Sequence, residues 1–400
     1  MTKLEELIKE LCPDGVKYEE LKEILKIKNG SDYKGFSEGT IPVYGSGGIL
    51  AYIDRYAYNK PSVLIPRKGS IDKLYYVDTP FWNVDTIFYT EIFPDKAIPR
   101  YVYHCLLREH LEQYNTAGGV PSLTQTVLNK VKIPVPPLPV QEEIVRILDS
   151  FTELTAELTA ELTARKKQYE YYRDRLLTFG DVCGAINDVT WKTLGELFPY
   201  IRNGFVGTIT PFFTTKSNGV RYLEGTNIHD GVISDNEVLY VTHEFHQKHI
   251  KNELKVDDIL MVQSGHIGEC AVVGEKYKGA NCHALIILSN GGYCNSKFYC
   301  HYFHSYEGYK SLAPAMTGGT VKHVLATKLK DIRIPVPSIE TQNRIVQVLD
   351  NFDSICSDLK IGLPAEIEAR TKQYEYYRDK LLSFKETPTY EQKKEISKTE

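Results

Sequence analysis

The sequence lacks the features that mark membrane proteins, secreted proteins and general polyanion binders. No apolar run reaches the length of a membrane-spanning helix, about eighteen residues. The N-terminal stretch MTKLEELIKELCPDG predicts an amphipathic helix instead of a signal peptide. Eight cysteines without regular spacing indicate reduced thiols, so we expect a cytoplasmic protein with no membrane partner. With a net charge of only −4, binding to nucleic acid would depend on local patches or on a partner.

Catalytic signatures are also missing. We find no Walker loop, no GxSxG, no HExxH and no paired acidic motif, and GSGG at 45–48 is not followed by a helical pattern. Cys294, Cys300, His301 and His304 come nearest to a metal site, but their spacing matches no standard zinc pattern. A structural role is favoured for these four residues. We therefore predict no catalytic residue, no metal and no cofactor in this chain.

The chain contains an internal duplication. Residues 133–151, IPVPPLPVQEEIVRILDSF, match residues 334–352, IPVPSIETQNRIVQVLDNF, at ten of nineteen positions. Residues 165–179 match residues 370–384 at twelve of fifteen positions, including the octapeptide KQYEYYRD. A period of about 200 residues indicates two copies of one globular segment followed by a helix, and not a solenoid.

Each copy ends in a long helical pattern with an apolar seam at alternating steps of four and three. The first contains no Gly or Pro through 141–179 and predicts one continuous helix of roughly 60 Å. The second contains Gly362 and Pro364, which predict a break near Gly362. Opposite charge along the helices favours antiparallel pairing. The seam residues that we expect to pack between helices or against partners are Leu148, Phe151, Leu158, Leu162, Tyr169, Tyr172, Leu349, Phe352, Tyr374 and Tyr377.

Short β-branched and aromatic runs separated by Gly, Pro and Asn precede each helix and predict strands. We predict an α+β protein in which two duplicated strand-rich α/β lobes are joined by two long antiparallel coiled-coil helices, a dumbbell with pseudo-twofold symmetry. The expected boundaries are lobe 1 at 1–138, a central helix at 139–180, lobe 2 at 181–338, a C-terminal helix at 339–384 and a disordered polar tail at 385–400.

Each lobe has a polar, glycine-containing turn between predicted strands. These are Arg67-Lys68-Gly69-Ser70 in lobe 1 and Gln263-Ser264-Gly265-His266 in lobe 2. Such side chains can bond base edges, and glycine amides suit phosphates, but for each turn taken alone an ordinary hairpin turn with solvated charges is the favoured interpretation. The candidate nucleic-acid contacts from these regions are Arg67, Lys68, Ser70, Asn83, Thr86, Arg202, Asn203, Gln263, Ser264, His266, Asn281 and His283.

A pair of glycines also recurs in both lobes. Gly118 and Gly119 come before Ser122, and Gly318 and Gly319 come before Lys322. Each pair precedes a short predicted helix, whose N-terminus could bind a phosphate or could simply follow a turn. Because both features recur at matching places, a protein that reads two sites is favoured over chance.

These segments together resemble the DNA-specificity subunit of type I restriction–modification enzymes. The likeness covers nearly the whole chain and rests on the twin IPVP and KQYEYYRD segments, the TAEL tetrads, YGSGG and RKGS in lobe 1, and DILMVQSG in lobe 2. It implies that each lobe is a target-recognition domain that reads one half of a bipartite double-stranded DNA target. It further implies that the helices set the gap between the half-sites.

The resemblance also implies partners. The helices would dock methyltransferase subunits, two of them, and a motor–nuclease restriction subunit would join the complex. S-adenosylmethionine would then bind to the methyltransferase, and this chain would be non-catalytic by itself. Two alternatives are a coiled-coil scaffold that binds only proteins and an enzyme that acts alone. Salt-dependent binding to one split DNA sequence argues against the first, and methyl transfer without a partner would favour the second.

Overall fold

The computed structural model describes residues 2–115, 117–179, 189–319, 322–358 and 361–387. The chain divides into two compact units. Unit 1 combines Met1–Leu158 with Glu366–Glu400, and unit 2 is Thr159–Ala365. Each unit therefore contains one lobe, the beginning of the helix that follows that lobe, and the end of the helix that follows the other lobe.

The lobe of unit 1 begins with an amphipathic helix whose N-cap is Thr2, in a capping box with Glu5. Its elements are α1 (Lys3–Leu11), β1 (Tyr18–Glu20), α2 (Leu21–Ile24), β2 (Leu25–Lys28), β3 (Glu38–Gly45), β4 (Gly48–Ile53), β5 (Ser62–Pro66), β6 (Tyr75–Val77), β7 (Trp82–Asn83), β8 (Ile87–Ile92), α3 (Pro99–Arg108), a 3-10 helix (Leu111–Tyr114), α4 (Gln125–Leu128), β9 (Lys132–Pro134) and the start of the long helix α5 (Leu138–Leu176).

The lobe of unit 2 repeats this order with insertions. Its strands and α-helices are β10 (Thr190–Thr193), α6 (Leu194–Leu197), β11 (Tyr200–Asn203), β12 (Gly219–Leu223), β13 (Ile228–His229), β14 (Val232–Ile233), β15 (Leu239–Thr242), α7 (His243–Lys248), β16 (Ile259–Val262), β17 (Cys270–Val272), β18 (Asn281–Cys282), β19 (Leu285–Ser289), α8 (Ser296–His304), α9 (Tyr306–Ser311), β20 (Met316–Thr317), β21 (His323–Val324), α10 (Ala326–Leu329), β22 (Arg333–Val336) and α11 (Ile339–Ser357), after which α12 (Leu363–Leu381) leads into unit 1. Within the described residues of this lobe, short 3-10 helices lie at Thr210–Phe212, Lys216–Asn218, Gly225–Asn227, Ile250–Asn252, Glu275–Tyr277 and Ala313–Ala315.

The two lobes share one sheet topology. Lobe 1 has a four-stranded antiparallel sheet β2-β8-β5-β6 and a three-stranded sheet β4-β3-β7, in which β3 and β7 are parallel. Lobe 2 has β11-β19-β16-β17 and β15-β12-β18, with β12 and β18 parallel. A two-stranded ladder, β1-β9 or β10-β22, joins the beginning of each lobe to its end. The predicted α+β duplication is confirmed, and lobe 2 adds the hairpins β13-β14 and β20-β21.

Each four-stranded sheet is buried on both faces, as its central strand shows. Val63 and Ile65 of β5 belong to the buried cluster that contains Tyr101 of α3. Leu64, between them, belongs to a separate cluster with Phe81. This alternation follows from the two-residue period of a strand. The apolar runs in β5 and its counterpart β16 therefore place the turns that follow them on a rigid support.

The helices that follow the lobes differ as predicted. Helix α5 is continuous over 39 residues, about 58 Å at 1.5 Å per residue, because Ala, Leu and Glu fill most of its middle and neither Gly nor Pro interrupts it there. The second helix is interrupted between Ser357 and Leu363. The predicted break near Gly362 is confirmed.

Aromatic contacts show how the helices pair within each unit. In unit 1, Phe151 stacks on Tyr377 with ring centroids 5.2 Å apart. In unit 2, Tyr172 stacks on Phe352 at 5.9 Å, while Cys356, one turn later, lies near Lys166. The sequence numbers run in opposite directions, so the antiparallel pairing is confirmed within unit 2. Leu148 and Leu349 are fully buried, and Leu158, Leu162, Tyr169 and Tyr374 are half-buried.

The repeated IPVP segment is tied to its helix by a glutamine. The Gln141 side-chain amide donates to the Pro136 carbonyl (2.8 Å), and Gln342 donates to Pro337 (2.9 Å). The amide oxygen of Gln141 accepts from Ile98, and that of Gln342 accepts from Asn295, each at 2.9 Å. These buried bonds fix each lobe to the first turn of its own helix and explain why both copies retain the pattern.

The first residues of the predicted polar tail are not loose. The Val16 N–H donates to the Lys385 carbonyl (2.8 Å), and the Thr387 N–H donates to the Val16 carbonyl (3.1 Å). Residues 385–387 therefore continue unit 1, since backbone pairing does not require an apolar side-chain pattern. The rest of the predicted tail, 388–400, lies outside the described residues. Among the helices of the described residues, none has the length and apolar character needed to cross a membrane.

Candidate nucleic-acid interface

Two segments of lobe 1 that the sequence presents separately form one continuous edge. Turn 1 (residues 67–70) follows β5, and loop 1 (residues 117–124) precedes α4. The Leu123 N–H donates to the Arg67 carbonyl (2.9 Å), and Lys68 forms an antiparallel bridge with Ser122. The other side of turn 1 is fixed by the Arg67 N–H, which donates to the Thr86 carbonyl (2.8 Å). Candidate residues from three parts of the sequence are thus brought together.

Lobe 2 repeats this arrangement with different side chains. Turn 2 (residues 263–266) follows β16, and loop 2 (residues 316–319 and 322–324) contains β20 and β21. The Val324 N–H donates to the Gln263 carbonyl (2.9 Å), and Ser264 forms an antiparallel bridge with His323. Because β16 occupies the same place as β5, turn 2 and loop 2 lie at the equivalent end of the lobe 2 sheet.

The two turns share a backbone conformation that requires glycine. Gly69 has φ +83° and Gly265 has φ +85°, in the left-handed region that strains other residues. A Cβ added at Gly118, Gly119 or Gly319 would meet no atom within 4 Å. Both glycine pairs are exposed. The predicted short helices α4 and α10 exist, but each begins at least six residues after its glycine pair. The glycines are therefore exposed loop residues and not helix N-termini.

Most of the predicted side chains on the turns and loops are accessible to a ligand. Lys68, Ser264, His266 and Lys322 are exposed. Arg67, Ser70, Ser122 and Gln263 are half-buried. The Arg67 guanidinium lies 5.8 Å from the centre of the Phe88 ring, which limits the orientations of this side chain. Cations, hydroxyls and an amide at exposed edges can bond phosphates or base edges.

Asn83 and Asn281 do not belong to this surface. Both side chains are buried, with 0% and 1% exposure, at equivalent positions in β7 and β18. Asn83 donates to the Ile87 carbonyl (2.8 Å), and Asn281 bonds the His246 ring (2.7 Å). The parallel pairing of β7 with β3 and of β18 with β12 turns these side chains inward, and burial removes both from the set that a DNA groove can reach.

Three other candidates have structural contacts. Arg202 donates to the Ser289 hydroxyl (2.6 Å) and forms an ion pair with Asp258 (3.5 Å), so its guanidinium holds two strands of the sheet. His283 bonds the Tyr222 hydroxyl (3.3 Å) and is half-buried. The Thr86 hydroxyl accepts from the Ser46 N–H (3.3 Å) and supports the tip of the β3-β4 hairpin. Asn203, by contrast, is exposed at the end of β11.

The four residues considered as metal ligands have separate roles. His301 bonds Asp350, while His304 accepts the Cys270 N–H at 3.2 Å. Burial lowers the pKa of His304 to about 4, so it is neutral at pH 7. Cys294 and Cys300 are buried in the core. No group of three or more His, Cys, Asp or Glu side chains converges within the part of the chain that the structure describes.

The sequence did not predict two residues that lie beside the two turns, His323 and Ser46. His323 is exposed and pairs directly with turn 2, and the Ser46 carbonyl accepts from the Tyr75 hydroxyl (3.2 Å) close to turn 1. His323 directly follows Lys322, so its place in loop 2 was visible. The bridge to Ser264 joins residues about 60 positions apart, and no local pattern predicts it.

Comparison with known proteins identifies the family. The family model described as "Type I restriction modification DNA specificity domain" matches this chain twice, at residues 13–165 and 187–369. The chain belongs to this family. One match falls within each of the two copies predicted from the sequence.

Individual specificity subunits agree with this assignment. The specificity subunit of the type I restriction enzyme EcoR124I/EcoR124II of Escherichia coli is 32% identical over 428 residues, covering 97% of this chain and 98% of the relative. A solved chain from a study of complex assembly and conformational transition of the type I R-M system has a TM-score of 0.60 at 17% identity, covering 92% and 97%. An S subunit from M. genitalium has a TM-score of 0.58 at 14% identity, covering 92% and 96%. The two structures support the fold alone.

Family membership decides between the hypotheses for the chain. A specificity subunit is a non-catalytic component, so the prediction of a chain that is not an enzyme by itself is confirmed. The alternative of a scaffold without DNA specificity is not supported.

Proposed function

We propose that this specificity subunit reads a bipartite double-stranded DNA target, with turn 1 and loop 1 contacting one half and turn 2 and loop 2 contacting the other. The proposal is supported above all by the repeated bridge, Lys68 to Ser122 in lobe 1 and Ser264 to His323 in lobe 2. Equivalent backbones with different side chains suit two recognition sites of the same construction that read different bases.

The chemistry of each edge divides into positioning and reading. Lys68 and Lys322 are exposed cations that suit phosphates, and the exposed glycine loops allow close approach of a DNA backbone. Arg67 and Gln263 are half-buried. The carbonyl of each accepts a backbone hydrogen bond from the neighbouring loop, from Leu123 in lobe 1 and Val324 in lobe 2. A restrained Arg can bond guanine and a restrained Gln can bond adenine in the major groove, each in a bidentate way.

The long helices supply the rest of the function. We infer that α5 and its partner helices set the gap between half-sites and dock two methyltransferase subunits, and that a motor–nuclease restriction subunit completes the complex. S-adenosylmethionine would bind to the methyltransferase, where the methyl transfer occurs, and the assembly would be cytoplasmic. Partner subunits also supply phosphate-neutralising charge that this chain, at net −4, lacks.

Alanine variants of the two turns test the assignment of half-sites. The target is first mapped as methylated bases in a genome that carries this chain and its partners. Arg67→Ala should then weaken binding of the reconstituted complex to DNA with the correct base pairs in one half-site by about 1–3 kcal/mol, and Gln263→Ala should do so for the other. For each variant, the dissociation constant for cognate DNA is compared with that for DNA in which only one half-site is scrambled.

Lys68→Ala provides the matched control beside Arg67. If Lys68 contacts a phosphate, its loss should weaken binding about equally on all sequences and reduce the salt dependence of binding by about one ion. Cognate binding and modification that remain at the wild-type level in both Arg67→Ala and Gln263→Ala would remove the turns from the recognition surface.

A further inference from the structure

A buried three-residue chain connects lobe 1 to two helices in unit 1. His104 of α3 is fully buried, and its Nε2 lies 2.9 Å from the Asp149 carboxylate on α5. Its Nδ1 lies 2.9 Å from the Tyr374 hydroxyl on α12. Arg100, one turn earlier on α3, donates to the same carboxylate at 2.8 Å. A single imidazole thus joins the lobe, the helix that leaves it and the octapeptide of the other repeat.

Unit 2 contains the same chain at equivalent positions. His301 of α8 has its Nε2 2.8 Å from the Asp350 carboxylate on α11 and its Nδ1 3.3 Å from the Tyr169 hydroxyl on α5. Lys297 takes the place of Arg100 and donates to Asp350 at 2.6 Å. All three bonds recur, with Lys297 in place of Arg100. The recurrence indicates a specific junction, which consists of His104, Asp149 and Tyr374 in unit 1 and of His301, Asp350 and Tyr169 in unit 2.

The protonation states follow from the environment of His104. Burial lowers the pKa of His104, so the ring is neutral near pH 7. Burial by itself would raise the pKa of Asp149, but the hydrogen bonds from His104 and Arg100 outweigh it and hold that pKa below its usual range. An ionised carboxylate only accepts, so Nε2 carries the proton. Nδ1 then accepts from the Tyr374 hydroxyl, which leaves the tyrosine as the necessary donor.

In both units, the histidine of one repeat is hydrogen-bonded to a tyrosine of the other repeat. Tyr374 lies on the helix that follows lobe 2, yet it belongs to unit 1; Tyr169 lies on the helix that follows lobe 1, yet it belongs to unit 2. We propose, on the basis of the function proposed above, that each tyrosine is a positioning residue for the half-site read by the lobe of its own unit. Tyr169 would thus control the half-site of lobe 2, and Tyr374 the half-site of lobe 1.

The surroundings of Tyr169 link the junction of unit 2 to turn 2. A cavity of about 610 Å³ lies beside Tyr169 in unit 2. Its walls include Tyr169 and Arg173 of α5, Asp353 of α11, and Gly268 and Glu269, which lie two and three residues after turn 2. His304, one turn after His301 on α8, accepts the Cys270 N–H at 3.2 Å, and Cys270 begins β17, four residues after turn 2. The Tyr169–His301 bond holds α8 against α5, and α8 holds the strand that follows turn 2, so we expect this bond to restrain the position of turn 2.

Four single substitutions test this proposal. In Tyr169→Phe the Nδ1 of the half-buried His301 loses its hydrogen-bond partner, and discrimination between the cognate and the scrambled half-site of lobe 2 should fall about fivefold. Discrimination at the half-site of lobe 1 should be unchanged. Tyr374→Phe should give the mirror result. Asp350→Asn and Asp149→Asn should act on lobe 2 and lobe 1 respectively, so that Asp149 and Tyr169, both on α5, affect opposite half-sites.

The measured quantity is the ratio of the dissociation constants for DNA with one scrambled half-site and for cognate DNA, determined on the reconstituted complex. A purely structural role would lower the amount of folded protein but leave both ratios unchanged. Tyr171→Phe and Tyr376→Phe are matched controls, because these tyrosines of the same octapeptides are 57% and 61% exposed. Both controls should keep wild-type ratios.

The outcomes separate this inference from the proposed function. The inference is overturned if Tyr169→Phe lowers only the lobe 1 ratio, lowers both ratios equally or changes neither. If a tyrosine variant does not fold, the aspartate variant of the same unit decides by the same criterion. A wild-type complex without sequence preference would instead refute the proposed function. Suppose that Arg67→Ala and Gln263→Ala assign one half-site to each lobe, but that the tyrosine and aspartate variants do not change discrimination at the half-site of their own unit. That result would refute only the inference about the junctions.

Discussion

Glu143 is a buried carboxylate of α5 that is held by two cations. Its side chain is 3% exposed and accepts from Arg146 at 2.6 and 3.0 Å and from Lys3 of α1 at 3.0 Å. Burial opposes these bonds, but the hydrogen bonds from Arg146 first, and then from Lys3, lower the pKa of Glu143 to about 2. The carboxylate therefore links the N-terminal helix to the start of α5.

This lowered pKa predicts a dependence of stability on pH. The folded-state pKa lies below that of the unfolded chain, so the stabilisation is complete above about pH 4.5 and is lost as pH falls towards about 2. Since both cations are largely exposed, we expect Glu143→Gln to lower the free energy of unfolding by about 1–2 kcal/mol at pH 7. The difference from wild type should shrink steadily between about pH 5 and pH 2, as measured by denaturant unfolding. The exposed neighbour Glu142, changed to Gln, should show no such trend.

At the residue scale, the sequence predicted which positions are polar but not where their side chains point. Arg67 and Gln263 lie on exposed turns because a glycine with positive φ follows two residues later, and that signal is local. Asn83 and Asn281 looked equally suitable, yet the parallel pairing of β7 and β18 buries both. That pairing depends on strands about 40 to 60 residues away, which no local pattern contains.

At the scale of elements, helices were predicted better than sheets. The Thr-Ala-Glu-Leu tetrads predicted the continuous helix α5, and Gly362 with Pro364 predicted the break after α11. Both predictions were possible because helical preference is local. Strands were recognised as strands, but the order β2-β8-β5-β6 and the parallel β3-β7 pair were not predicted. Strand order depends on pairing between distant segments, which apolar alternation does not specify.

The break near Gly362 makes a prediction at this scale. A Cβ at Gly362 would lie 2.7 Å from the carbonyl oxygens of Ser354 and Asp358. These are backbone atoms at the end of α11 and cannot rotate away, so Gly362→Ala should lower the free energy of unfolding by about 1–3 kcal/mol. Gly35→Ala is the control, because a Cβ there meets no atom within 4 Å and the expected change is within about 0.5 kcal/mol. Equal thermal unfolding of both variants would show that the break tolerates a side chain.

At the scale of the whole chain, the duplication organises both units. Each unit is completed by the octapeptide of the other repeat, as the His104–Tyr374 and His301–Tyr169 bonds show. The sequence predicted two copies and antiparallel helices, from identity and charge. It did not predict these bonds, since the histidines lie outside the matched segments and their partners are about 45 to 270 residues away in the sequence. The repeat therefore specifies how each unit is closed, while the turns are free to differ.

The tetrads of α5 provide the prediction that tests this organisation. Deleting residues 159–162, one Thr-Ala-Glu-Leu tetrad, shortens the helix by about 6 Å, near two base-pair rises, and changes the rotation by about 40°. Turns 1 and 2, the junction residues and the Gln141 and Gln342 contacts all lie outside the deleted segment. We therefore expect methylation mapping to show unchanged bases in both half-sites with a shorter gap between them. Replacement of the same four residues by Ala keeps the helix length and should keep the wild-type gap. A deletion variant that retained the original gap, or that altered a half-site, would show that α5 does not set the spacing.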